Sequence, residues 1–330
     1  MHLPNLSLDM DFKTYLADPM ETPSLTSSLV RALLTKAPRK VWTETPRLNK
    51  NAESENKTQF DLGSAAHRLF TGVGEPIMAI DAKDFRGKAA QQARDEAYSS
   101  GKTPILKDNL AIVQDMVGEA WVQILDNPTI GHLFTKENSA KILRESSIFW
   151  NEAGANCRCR PDFYAKSENI MIHYKTTATA ISPYTLGKFA ANSQWDHIAA
   201  HYAAGGKALT GHKTRQIFVI QELAKPHLLL VAELDNEFID TAAMRRERAL
   251  MIWTRCLREN AWPGMASRTL KLECPPWHAN DAINEKDAEE AAANAGTDLL
   301  DMMRKWQAPE GWQPAAVQGA VSGDERDVIE

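Results

Sequence analysis

The sequence predicts an α/β protein in which helices flank a central mixed β-sheet. Three observations support this class. Apolar residues recur with the helical period of about 3.6 in several segments between residues 24 and 145. The period changes to alternation over 156–177, and strand-like runs recur over 215–234. A long amphipathic segment, Glu237 to Arg258, then returns to the helical period.

The composition indicates a chain that can bury a large core but has no general attraction for polyanions. It has 330 residues, of which 43% are hydrophobic. Because 38 Lys and Arg stand against 43 Asp and Glu, any contact with nucleic acid must depend on a local basic patch. The sequence has neither a membrane-length apolar run nor a signal-peptide pattern, so we expect a cytoplasmic protein whose four cysteines are reduced thiols.

The N-terminal part is predicted to contain two helices. The first lies in the apolar stretch Leu29–Leu34, which the Ser- and Thr-rich residues 24–28 open and Pro38 ends. The polar run 49–57 is expected to form a loop. A second helix is capped by Asp61 and continues to Phe70, with its apolar residues on one face.

The later elements are assigned in the same way, with residues 85–145 mainly helical and interrupted at glycine and proline. The predicted helical segments are 91–98, 107–125, 139–144, 186–204, 237–258 and 284–305. The predicted strands are 156–165, 169–177, 215–222 and 227–234, the first two joined as a hairpin.

Chemistry-bearing residues concentrate in that hairpin. Asp162 follows Pro161 on the first strand, while His173 and Lys175 share one face of the second. A carboxylate and a second ligand on neighbouring strands can converge on one divalent metal ion, which lowers the pKa of a bound water and binds a phosphate. An ammonium group beside them can stabilise the developing charge.

These residues resemble the RecE-type branch of the PD-(D/E)xK nucleases. Asp162 precedes His173 by 11 residues, and Lys175 begins the motif Lys175-Thr176-Thr177. The segment Gly63 to His67 is similar to the G-x-x-x-H helix of that family, and His67 precedes Asp162 by 95 residues. The segments 145–150 and 157–162 and the first helix also resemble family segments, so that the resemblance covers about residues 20–275.

The resemblance implies a restriction-endonuclease-like core and assigns roles to individual residues. Asp162, Lys175 and His173 occupy the positions of the catalytic residues, and His67, Asp162 and His173 those of the metal ligands. Arg158 and Arg160 share a face and either contact a phosphate or pair with an acid such as Glu145. The candidates for DNA contact are Arg158, Arg160, Thr176, Thr177 and Tyr202.

Two positions depart from the family pattern. His173 occupies the place of the second acid, and neutral imidazole suits Mn better than Mg, which prefers oxygen ligands. In the following helix, Ile198 stands where the family has a glutamine four residues before Tyr202.

Three hypotheses remain open at this stage. The chain is an active exonuclease that uses His67, Asp162 and His173 with Mn or weakly held Mg; or Glu145 has moved into the metal shell; or the fold persists without cleavage as a DNA-binding or protein-interaction module. The resemblance further implies 5′-to-3′ digestion of linear duplex DNA in phage-type recombination, a single-strand annealing protein as partner, and a ring-shaped homo-oligomer.

Other polar groups favour structural interpretations. His197 and His201 share one helix face, for which we expect solvent or DNA contact, and the arginines of 245–258 indicate a solvated helix face. An iron–sulfur cluster, as some relatives of this nuclease class carry, requires Cys157 and Cys159 to meet Cys256 and Cys274.

The chain is thus divided into four parts. They are an N-terminal helical segment and loop (1–57), a nuclease-like core (58–275), a C-terminal helix (276–308) and a tail expected to be disordered (309–330).

Overall fold

The computed structural model describes residues 5–8, 10–52, 61–266 and 268–296. The chain divides into two compact units, residues 1–265 and 266–330. The helices are α1 (Phe12–Ala17), α2 (Ser27–Thr35), α3 (Pro38–Glu44), α4 (Asp61–Thr71), α5 (Lys88–Ser99), α6 (Lys107–Leu125), α7 (Leu186–Asn192), α8 (Trp195–Thr210), α9 (Asn236–Glu259) and α10 (Pro276–Asn294). The strands are β1 (Asn5–Ser7), β2 (Ile77–Ile80), β3 (Thr103–Leu106), β4 (Leu143–Arg144), β5 (Ser147–Glu152), β6 (Ala155–Cys159), β7 (Phe163–Ala165), β8 (Ile170–Thr177), β9 (Arg215–Glu222) and β10 (Leu229–Glu233).

The strands of the first unit form three sheets within the described residues. A 5-stranded sheet has the order β10-β9-β8-β7-β4, in which β8 and β9 are parallel and the other pairs antiparallel. A 3-stranded antiparallel sheet has the order β1-β5-β6, and β2 pairs in parallel with β3. The larger sheet is mixed and flanked by helices, so the predicted fold class is confirmed.

The first strand of the predicted hairpin is divided. β6 belongs to the 3-stranded sheet and β7 to the 5-stranded sheet, so residues 160–162 connect the two. Pro161 has no N–H and cannot extend a hydrogen-bonded ladder, which explains why a continuous strand over 156–165 is wrong. The connection carries Asp162.

Several other boundaries differ from the prediction. The predicted helix 186–204 breaks at Gln194, which has a φ of 56°, and gives α7 and α8. The predicted helix 139–144 is a 3₁₀ turn followed by β4. Pro38 does not end the helix before it, because α2 stops at Thr35 and Pro38 occupies the first turn of α3.

Two large clusters of buried side chains position the functional elements. One packs α4 and α6 against the 5-stranded sheet, and its members include Phe70, Met116 and Tyr174. The other packs α2 and α9 against the 3-stranded sheet and includes Leu33 and Trp253. Because each helix buries a continuous apolar face, α4 and α2 have fixed positions relative to the strands.

The face of α8 that carries His197 and His201 is buried, which corrects the expected contact with solvent or DNA. These residues are 3% and 0% exposed. His201 Nε2 lies 3.1 Å from the backbone oxygen of Arg158, and its Nδ1 accepts a hydrogen bond from Arg246. Arg246 is itself buried, with two hydrogen bonds to Glu152, so it does not belong to a solvated basic face of α9.

The cysteines are free. Cys157, Cys159 and Cys256 are buried, whereas Cys274 is exposed and belongs to the second unit. That unit contains α10, whose described side chains are almost all exposed, and the predicted tail 309–330 lies outside the described residues. Among the helices that the structure describes, none combines the length and the apolar character needed to cross a membrane.

Candidate metal centre

Asp162 is held between β8 and α4. Its carboxylate is buried, and Oδ2 accepts a hydrogen bond from the backbone N–H of Tyr174 at 2.6 Å. Its Oδ1 lies 3.1 Å from Nε2 of His67. The bond to Tyr174 fixes the orientation of the carboxylate, because Tyr174 belongs to the regular ladder of β8.

Glu145 reaches the same point from the turn between β4 and β5. Its φ of 48° lies in the left-handed region, which non-glycine residues rarely adopt, and its N–H donates to the backbone oxygen of Asp162. Arg160 Nε donates to Glu145 Oε2 at 2.8 Å. The other oxygen, Oε1, is buried without a hydrogen bond and lies 3.2 Å from His67 Nε2.

His67 faces both carboxylates from α4. A single imidazole N–H can point to one oxygen at a time, so a carboxylate oxygen remains unsatisfied, as Glu145 Oε1 is. Burial alone lowers the pKa of His67, but the charges of Asp162 and Glu145 outweigh it and raise the pKa above its usual value.

The two carboxylates respond differently to the same surroundings. Burial and the negative charge of Asp162 raise the pKa of Glu145. Burial also acts to raise the pKa of Asp162, but the charge and hydrogen bond of His67 overcome it and hold that pKa well below its usual range. Two buried acids beside one imidazole form a site of concentrated negative charge, which a cation would compensate.

The donor set fits a divalent metal ion. One ligand atom each from His67, Glu145 and Asp162 lies within 4.8 Å of the other two. Two carboxylate oxygens and one imidazole nitrogen suit Mn and similar ions, and the unsatisfied Glu145 Oε1 is a ligand atom without another role. The structure therefore brings together three of the four predicted ligands, Glu145 among them.

Lys175 lies beside this cluster. It is half-buried on β8, and its ammonium charge contributes to the low pKa of Asp162 and opposes protonation of His67. A cation held near a metal site by a regular strand is suited to stabilise negative charge on a reacting phosphate.

His173 is not brought into the cluster. Its Nε2 lies 2.8 Å from the amide oxygen of Gln216, so this nitrogen carries the proton and cannot bind a metal. The ring packs against Tyr202 and Phe218, with centroid distances of 4.7 and 5.0 Å. Burial lowers the pKa of His173 to about 4, so that the ring is neutral at pH 7.

The two candidate DNA-binding arginines are buried in contacts within the protein. Arg160 pairs with Glu145, as one of the two sequence hypotheses proposed, and also donates to Met10 O and Ser147 Oγ. Arg158 forms an ion pair with Asp18 at 2.6 Å. Both guanidinium groups therefore have partners within the protein that fix their positions beside the site.

The remaining candidates for DNA contact occupy different environments. Tyr202 donates a hydrogen bond from its hydroxyl to the backbone oxygen of Arg160, while Thr177 is buried and bonded to Thr179. Thr176 is half-buried close to Gly63 of α4. Ile198 packs in an apolar cluster around Trp195 and makes no polar contact with the site.

A cleft of about 620 Å³ opens above the cluster. Its lining includes the three candidate metal ligands, together with Arg158, Arg160 and Tyr202. Residues of α1, of the start of α2, of α4 and of the segment after α4, including Glu75, also line it. The buried carboxylates are therefore accessible through the cleft.

Sequence reasoning missed residues that shape the site without binding a ligand. Gln216 removes His173 from the cluster, while Asp18 and Ser24 hold Arg158. Tyr174 contributes only its backbone N–H. Asp18 precedes a proline in a stretch without periodicity, and no local signal marks it as the partner of a residue so distant in sequence.

The fold and the site together define a PD-(D/E)xK-type protein. The profile of the PDDEXK-like domain of unknown function (DUF3799) matches residues 41–269, and the chain belongs to this family. Proteins of this class use divalent metal ions, and the class indicates a nuclease.

One solved structure supports the same fold. A provisionally described exonuclease from Eubacterium rectale is 12% identical, with a TM-score of 0.52 over 82% of this chain and 97% of that one. A phage-related exonuclease from Haemophilus somnus 129PT is also 12% identical, with a TM-score of 0.27 over 60% of this chain and 95% of that one. No curated protein matches the sequence.

Proposed function

We propose that this protein is a metal-dependent exonuclease that digests DNA from the ends of linear duplexes. The observation that carries the proposal is the cluster of His67, Glu145 and Asp162 beneath an open cleft. A divalent cation held by these three residues would supply Lewis acidity to the scissile phosphate and lower the pKa of a water. Membership of a nuclease class supports the same assignment.

The protein side chains provide the positioning for this reaction. The N–H of Tyr174 and the guanidinium of Arg160 orient the two carboxylates before any substrate arrives. Lys175 provides positive charge near the place where the phosphate gains negative charge. His67 would hold the cation in its neutral form, because only neutral imidazole coordinates a cation.

The ligand set favours Mn over Mg. Mg prefers oxygen ligands and retains several waters, whereas the imidazole nitrogen of His67 suits Mn. We further propose 5′-to-3′ polarity, a role in phage-type recombination, a single-strand annealing protein as partner and a ring-shaped homo-oligomer in the cytoplasm of a bacterial host cell. These finer points rest on the family resemblance of the motifs around Asp162 and Lys175.

A digestion assay tests the central proposal. Linear duplex labelled at either its 5′ or its 3′ end, and closed circular duplex as a control, are incubated with Mn, with Mg and with a chelator. We expect linear DNA to be degraded in Mn, more slowly in Mg and not in chelator, while the circle remains intact. Degradation in chelator would contradict a metal mechanism, and cutting of the circle would contradict an exonuclease.

A second candidate function is a DNA-binding module without cleavage, and His173 favours it. The acid that would complete the metal site in the family pattern is replaced by a ring engaged with Gln216. The His173→Asp variant distinguishes the two functions. If the native chain is inactive in both metals and the variant cleaves, the native protein has lost cleavage. If the native protein cleaves DNA and Lys175→Ala cleaves it at the same rate, the reaction centre lies elsewhere.

A further inference from the structure

Helix α1 presents two apolar side chains at the candidate metal cleft. Phe12 is 43% exposed and Leu16 is 57% exposed, and both line the cleft above the metal ligands. Residues four apart lie on one face of a helix, so the two side chains form a continuous apolar surface. An exposed aromatic ring at a reaction cleft is a favourable surface for a flat ligand.

This surface rests on a rigid base. Tyr15, on the buried face of α1, packs against the guanidinium groups of Arg158 and Arg160 at 5.2 and 5.5 Å. The ion pair between Asp18 and Arg158 fixes the end of the helix, and Arg160 also donates to the backbone oxygen of Met10 just before it. These contacts hold α1 at the cleft and leave the ring of Phe12 accessible.

The same arginine connects the ring to the metal cluster. The Arg160 guanidinium lies 5.9 Å from the centroid of Phe12, and its Nε lies 2.8 Å from Glu145 Oε2. Glu145 in turn is 3.2 Å from His67. One side chain therefore separates Phe12 from a metal ligand, so a nucleotide whose phosphate lies at the cluster has its base within reach of the ring.

The lining of the cleft also includes polar groups. Ser27 and Ser28 at the start of α2, and Ser64 and Arg68 on α4, line it. A nucleotide combines an anionic phosphate with a flat base, and the lining of the cleft offers both hydroxyl and cationic groups and an aromatic ring.

We propose that Phe12 is a stacking platform for a nucleobase of the strand being cleaved, with Leu16 extending the platform. The proposal rests on the proposed nuclease function and adds a base-binding subsite to it. Stacking tolerates any base because every base has a π-face, so the subsite holds the strand without selecting its sequence.

The test combines protein variants with substrates that lack one base. Native protein, Phe12→Ala and Phe12→Trp are compared on linear DNA carrying a single abasic nucleotide at successive positions from the end, and kcat/KM is measured with Mn. Leu8→Ala is the matched control, because Leu8 is 53% exposed in the same N-terminal segment but does not line the cleft.

For native protein, an abasic nucleotide at one position is expected to lower kcat/KM by about tenfold. On intact DNA, the Phe12→Ala substitution is expected to lower kcat/KM by about the same factor. The two losses should not multiply when combined, because both remove the same contact. Phe12→Trp should retain the native dependence, and Leu8→Ala should match native protein on every substrate.

Losses that multiply at every position would overturn the stacking proposal while leaving the nuclease function intact. So would a change in self-association on Phe12→Ala without any dependence on the base, because the surface would then be a protein contact. A native protein that neither binds nor cleaves DNA would instead contradict the proposed function itself, and the inference with it.

Discussion

His67 and His173 are both influenced by the charge of Asp162 but behave in opposite ways. His67 on α4 meets two carboxylates, and its pKa is raised despite burial. His173 on β8 meets a neutral amide and two aromatic rings, and burial lowers its pKa to about 4. One imidazole is therefore poised beside ligands for a cation, while the other is part of the neutral packing.

The difference shows that the partner of a histidine decides its role more than its position in a motif does. In the sequence, His173 occupies the acid position of the nuclease motif. In the structure, Glu145 supplies the second carboxylate instead, from a different strand connection. The candidate metal site therefore consists of one imidazole and two carboxylates. His173 does not contribute to it.

The largest effect is expected on replacing Asp162, the acid whose charge acts on both histidines. Asp162→Asn keeps an oxygen that can accept the hydrogen bond of Tyr174 but removes the charge. We expect cleavage in Mn to fall by about 10³-fold, corresponding to the loss of about 4 kcal/mol of metal-assisted stabilisation. End-labelled DNA measures the rate, and an unchanged melting temperature in chelator confirms folding. A residual rate within tenfold of native would exclude Asp162 as a metal ligand.

Removing the second carboxylate tests the His67 side of the comparison. Glu145→Gln should weaken Mn binding by about tenfold to a hundredfold, because a ligand charge is lost. Titration calorimetry measures the affinity. Glu75→Gln is the control, since Glu75 lines the same cleft but is not one of the clustered ligands. Equal losses for both variants would mean that Mn responds to the overall charge of the cleft and not to a defined site.

The pH dependence of stability tests the His173 side. The folded pKa of about 4 lies below the usual value of 6.5, so the unfolded chain binds a proton first as the pH falls. From pH 7 to pH 5 this one residue should lower the free energy of unfolding by about 2 kcal/mol. Urea unfolding in chelator measures the free energy of unfolding at the two pH values. Its decrease from pH 7 to pH 5 should be smaller for His173→Gln than for native protein, by about 2 kcal/mol. Identical pH profiles for the two proteins would show that the ring is not held neutral.

The smallest effect is expected when His173 is replaced and the affinity of the cluster for metal is measured. Because Nε2 of His173 faces Gln216, His173→Gln should change the affinity for Mn by less than about threefold. The same calorimetric titration as for Glu145→Gln makes the two values directly comparable. A loss as large as that of Glu145→Gln would place the imidazole in the metal shell and remove the contrast between the two histidines.

Much of the fold followed from local patterns. The predicted helix 107–125 and the predicted strand 215–222 coincide with α6 and β9. The periodicity of α6 reflects one buried face, and the short apolar run of β9 reflects a strand buried on both faces. The break at Pro161, the left-handed turn at Gln194 and the short strands β2 and β3 were missed. Such features depend on pairing between distant segments, which leaves little trace in a short window of sequence.

The sequence by itself determined which residues are available for the chemistry: the resemblance of the motifs at His67, Asp162 and Lys175 to a nuclease family implied a metal site. Only the tertiary structure decided which side chains meet. A left-handed backbone turn and a hydrogen bond from Arg160 place Glu145 in the cluster. A hydrogen bond with Gln216 holds His173 outside it. The reason is physical, since a side chain in a dense interior adopts the rotamer and hydrogen bond that its distant neighbours permit.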